Sequence, residues 1–94
     1  MSVSHLRAAA EQLTASIAVM QRGTDLAEQG NHAAAAGAFR AAAGMAEALA
    51  AAAAPVSAVE AAKWSLIAQL RRGWAVLEQR RASAVVGAAR DVLA

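Results

Sequence analysis

Starting at Val3, small or apolar residues recur three and four apart: Val3, Leu6, Ala10, Leu13, Ile17, Met20, Thr24 and Ala27. That spacing puts them on one narrow seam of a helix. Arg7, Glu11, Arg22 and Gln29 fall on the other side. The pattern predicts a first helix over about residues 4–29, capped by Ser2 or Ser4. Gly23 lies in its interior, where it costs about 1 kcal/mol relative to alanine. Either the helix bends there or something packs against it.

Gly30-Asn31-His32 breaks the pattern. Glycine takes the left-handed conformation that ends a helix, and asparagine caps the next one. A second helix, about 32–53, carries a seam of Ala35, Phe39, Ala42, Ala46, Leu49 and Ala53, again at helical spacing. Phe39 is its one bulky aromatic and the expected knob of a helical hairpin. Pro55 stops this helix. Ser57-Ala58-Val59-Glu60 then reads as a capping box that starts a third helix, about 57–92. Its Val59, Leu66, Ile67, Leu70, Trp74, Leu77, Ala84, Val85, Ala88 and Val92 share about 100° of arc. Lys63 and Arg81 interrupt that arc, as snorkelling stems or as cross-subunit ion-pair partners. The third helix outruns the second, so part of its seam lacks an obvious partner within the chain. The fold class expected is all-α: a three-helix antiparallel bundle in a single domain spanning residues 1–94.

The segment from Gly23 to Ala42 resembles the centre of a tetratricopeptide repeat. Gly23, Leu26, Gly30, Asn31, Ala35, Phe39 and Ala42 fill that family's small, apolar, turn and aromatic places, and His32 stands where tyrosine is usual. The likeness covers about residues 16–49, a third of the chain, with Arg22 in a usually apolar place and no second copy. The same residues are similar to the three-helix microtubule-interacting-and-trafficking domains. Either resemblance implies a tetratricopeptide-like hairpin plus a long third helix, with a helical groove that binds a partner protein. Size and composition are also similar to small secreted helical hairpins of type VII systems, whose Trp-x-Gly turn is absent here.

Composition narrows the chemistry. Of 94 residues 31 are alanine, with one proline, no tyrosine and no cysteine. This excludes a disulfide scaffold, a thiol enzyme and a cysteine-based zinc site. His5 and His32 begin different helices and cannot share a metal within one chain. Glu11, Asp25, Glu28, Glu47, Glu60, Glu78 and Asp91 include no Glu-x-x-His pair of the di-metal bundles. Glu60 with Lys63, and Glu78 with Arg81, are helix-spaced ion pairs. No catalytic residue, cofactor or metal site is expected, and the chain reads as a non-enzyme.

A net charge of +2 is ordinary despite a pI near 10.5, because eight of the nine cations are arginine, which hardly titrates. Arg71, Arg72, Arg80, Arg81 and Arg90 encircle the third helix instead of forming a phosphate-tracking stripe. Nucleic-acid or acidic-membrane binding therefore ranks low. The apolar run 41–54 is too short to span a bilayer and contains Glu47, so no membrane span is expected and the cytoplasm is the expected compartment. Alanine buries little area per residue, which predicts a thin monomer core and a partner. That partner is another protein, bound by an adaptor-like groove, or a second copy in a structural homo-oligomer. Lys63, Trp64, Arg71 and Arg81 are the candidate interface residues. Trp74 is expected in the core.

Overall fold

A computed structural model describes residues 3–93, the side chain of His5 excepted. Three helices account for nearly all of them: α1 (Val3–Glu28), α2 (His32–Ala53) and α3 (Ala58–Leu93). No strand is present among the described residues. The helices run up, down and up, as predicted, and α3 passes Gly73 without a break. Ser4 lies within α1, and the alternative cap, Ser2, lies outside the described residues.

Both connections form by the expected local chemistry. Gly30 holds φ at 79°, a left-handed conformation suited to glycine. The N–H of Asn31 then donates to the Leu26 carbonyl, closing the end of α1. The Asn31 side chain accepts from the Ala34 N–H, capping α2. At α3 the Ser57 hydroxyl accepts from the Glu60 N–H at 3.2 Å. The other half of the expected capping box is replaced, because the Glu60 carboxylate engages Lys63 at 3.1 Å.

α2 lies between the other two, packing on both and more extensively on α3. Its predicted seam is buried, with Ala53 partly so, and Ala36, Ala43 and Ala50 join it. The burial is wider than one seam because α2 has a neighbour on each side. Phe39 centres the core with Ala35 and Ala75, against Met20, Leu26 and Ala27. Its ring lies 6.4 Å from that of Trp74. On the opposite side it fills the notch at Gly23, where an added Cβ would sit 2.6 Å from Phe39 Cε1. Close packing, not a bend, explains that glycine. Gly23→Ala should lower stability by about 1–2 kcal/mol, since overpacking outweighs the gain in helix propensity. Urea unfolding would measure it, and an unchanged or raised midpoint would disprove the close packing. Gly44, by contrast, has open space where a Cβ would be. Gly44→Ala should raise stability by up to about 1 kcal/mol in the same assay.

The other two predicted seams require correction. On α1 the buried residues are Ser16 and Gly23, with Met20, Leu26 and Ala27 partly buried, while Leu6, Leu13 and Ile17 are exposed. On α3 the buried residues are Ala68, Arg71, Ala75 and Glu78. Leu66, Leu70, Leu77, Val59, Val85 and Val92 all face solvent. Trp74, expected in the core, touches Phe39 but remains 47% exposed. The physical reason is distance. The facing surface of α2 is mostly alanine, and Gly23 of α1 and Ala68 and Ala75 of α3 are buried against the core, where a row of leucine would not fit.

Candidate functional site

Two features stand out, a polar junction inside the molecule and an apolar trough outside it. The junction is built on α3. The Arg71 guanidinium donates from one nitrogen to the Ser16 hydroxyl at 3.1 Å and to the Ala42 carbonyl at 3.0 Å. One side chain thereby ties together all three helices. Burial lowers its pKa from the ordinary arginine value, because a low-dielectric surrounding disfavours the charged form. Two turns further on, the Glu78 carboxylate is 2% exposed. It accepts from His32 Nδ1 at 2.5 Å and from Arg81 Nη1 at 2.8 Å. His32 thus locks the turn between α1 and α2 onto α3.

These contacts sort the residues that the sequence singles out. Gly23, Leu26, Gly30, His32, Ala35, Phe39 and Ala42 lie along the α1/α2 hairpin, with His32 turned to Glu78 of α3. Arg71, a candidate interface residue, is instead buried as a helix tie, because its donors are turned toward α1 and α2. Arg81 is paired to Glu78 within its own helix. Lys63 pairs with Glu60 and lies 5.5 Å over the Trp64 ring, which is half-buried. Arg72 is paired with Glu47 of α2. Arg71, Arg72 and Arg81 are thus each engaged within the chain. Nothing in the sequence points to the His32–Glu78 link. A histidine at a turn and a glutamate 46 residues on carry no local signal of contact.

The trough follows from rotation about each helix axis at about 100° per residue. On α3, take Arg71 as zero. Ala75, Ala68 and Arg72, which face α2, lie at about +40° to +100°. Trp74, Leu70, Leu77 and Leu66 lie at about −60° to −140°. On α1, take Ser16 as zero. Gly23, which meets Phe39 of α2, lies at about −20°, and Leu13, Leu6 and Ile17 lie at about +60° to +100°. The Ser16–Arg71 hydrogen bond bridges α1 and α3, which otherwise barely touch. Turning from α2 past that bond, each outer helix next presents its leucine-rich stripe. Both stripes therefore open on the same side of the molecule, opposite α2. Leu66, Leu70, Trp74 and Leu77, with Gln69 and Gly73, line a shallow depression along the α3 wall.

Chemically, this surface can bind apolar side chains and little else. No group of three or more metal-ligating side chains occurs among the described residues, and no described helix is long and apolar enough to cross a membrane. No protein-family model, curated protein or solved structure matches this chain.

Proposed function

We propose that this chain is a non-enzymatic protein-interaction module, tetratricopeptide-like in its α1/α2 hairpin, that binds a helix of a partner protein in the α1/α3 trough. One observation carries the reading: Leu66 and Leu70 stand 65% and 67% exposed in a continuous row with Trp74 and Leu77. Leaving Leu66 and Leu70 this exposed forgoes about 1–2 kcal/mol each that burial would return. Apolar surface of that extent marks a contact face on a small protein. The i, i+4, i+8 and i+11 spacing from Leu66 to Leu77 is the register in which one helix receives another. Lys63 and Arg81 at the edges offer charged rims. Cytoplasmic residence belongs to the same proposal.

The test uses Trp74 as its reporter. A synthetic amphipathic helix with a leucine-alanine face should shift tryptophan emission to the blue and saturate. Leu70→Glu should weaken that binding at least about tenfold, since it places a carboxylate in the contact. Far-UV circular dichroism should stay unchanged, because Leu70 supports nothing inside the molecule. Equal binding by Leu70→Glu would remove the trough from consideration. The second reading, a structural homo-oligomer, is favoured by the length of α3 beyond α2.

A further inference from the structure

Taking the trough as a protein-binding face, we infer that its occupant is the free end of α3 from a second copy of this chain, in an antiparallel, reciprocal dimer. Three observations converge on that occupant. The first is length. His32, the first residue of α2, bonds Glu78, so residues 79–93 of α3 project past the hairpin. They form a helical arm about 22 Å long. The trough between Leu66 and Leu77, or between Leu6 and Ile17, is about 17 Å long. The arm is therefore long enough to fill it.

The second observation is continuity. The exposed stripe of Leu66, Leu70, Trp74 and Leu77 continues onto the arm through Arg81, Val85, Ala88 and Val92. Apart from Ala82, which is partly buried, every described residue of the arm is exposed, Val85, Val86, Val92 and Leu93 included. The arm extends an already nucleated helix and so persists in water, but its apolar stripe has nothing to cover it. It needs a surface, and the trough needs a helix.

The third is area. A folded monomer of 9.5 kDa exposes about 5,000 Å², whereas this chain exposes 6235 Å². The excess of roughly 1,200 Å² is more than the ~800 Å² each partner contributes to a standard interface.

Placement selects the orientation. Parallel pairing would set arm against arm and leave both troughs without one. Antiparallel pairing lays each arm along the other copy's trough. A two-fold axis crossing α3 between Trp74 and Leu77 places Val85 of one copy beside Leu66 of the other. The same axis brings the Val92 turn of the arm to the level of Leu6 on α1. Each copy then supplies one arm and one trough, and the contact closes on itself.

Light scattering on the full chain at micromolar concentration should give twice the 9.5 kDa of one chain. Leu70→Glu should weaken self-association at least about thirtyfold while helicity is retained. The register is tested with cysteines, since the chain has none of its own. A mixture of Leu66→Cys and Val85→Cys proteins should form a disulfide-linked pair on mild oxidation, and neither should link to itself. Self-linking of Leu66→Cys alone would overturn the antiparallel arrangement. A monomeric wild-type chain that still binds the synthetic helix would overturn the second copy as occupant and leave the trough a binding site. A monomer that binds no helix would overturn both.

Discussion

Phe39→Ala is expected to lower stability by about 3–5 kcal/mol, the range for deleting a buried aromatic. Phe39 is 3% exposed and meets both outer helices, at Gly23 and at Trp74. Around it the buried neighbours on α2 and α3 are alanines, and Met20, Leu26 and Trp74 reach it only from the edges of the core. The cavity therefore cannot collapse without the helices closing up, and Ala35, Ala42 and Ala46 are already in close contact with their neighbours. For a 94-residue chain with total stability of about 5–14 kcal/mol, this loss is a large part of the whole. Thermal unfolding followed at 222 nm, at fixed protein concentration, should show a fall of at least about 12 °C. A fall of only a few degrees would mean that the hairpin does not depend on this ring.

Glu78→Ala has the next largest expected effect, a loss of about 2–3 kcal/mol. The carboxylate accepts two charge-assisted or strongly polarised hydrogen bonds, from His32 and Arg81, in a place closed to water. Alanine removes both bonds and leaves the half-enclosed His32 ring without its acceptor. Glu78→Gln keeps the volume and one acceptor oxygen, so it should recover part of the loss. Urea midpoints of the two variants at neutral pH measure the difference. If Glu78→Ala matched the wild type, the link between the α1/α2 turn and α3 would contribute nothing. Amide exchange offers a local check: loss of this link should speed exchange around Gly30–Ala35 before the rest of α2.

Part of this molecule is legible from local patterns. Gly30 and Asn31, the Ser57 cap and the stop at Pro55 act within a few residues of chain, so their consequences appear at the positions read from sequence. The α2 seam around Phe39 is legible too, because one aromatic among alanines has only one face to bury. The faces of α1 and α3 are not. A hydrophobic arc indicates which side of a helix is apolar, but not what covers it. Placing the leucines of α3 in the core assumes that the largest apolar residues face the chain's own interior. Placing Arg71 at an interface rests on its type alone, although its guanidinium reaches Ser16 55 residues away.

The sequence by itself determined three helices, their ends and the hairpin knob. Alanine propensity, caps and breakers are local properties, and thirty-one alanines leave little competition for the helical state. The tertiary structure decided which faces meet. The alanine wall of α2 admits only close neighbours, so Gly23, Ser16, Ala68 and Ala75 turn inward, and Arg71 and Glu78 fill the gaps at the rim with hydrogen bonds. The leucine stripes of α1 and α3 are left outside together, since a backbone separation set by small residues has no room for large ones.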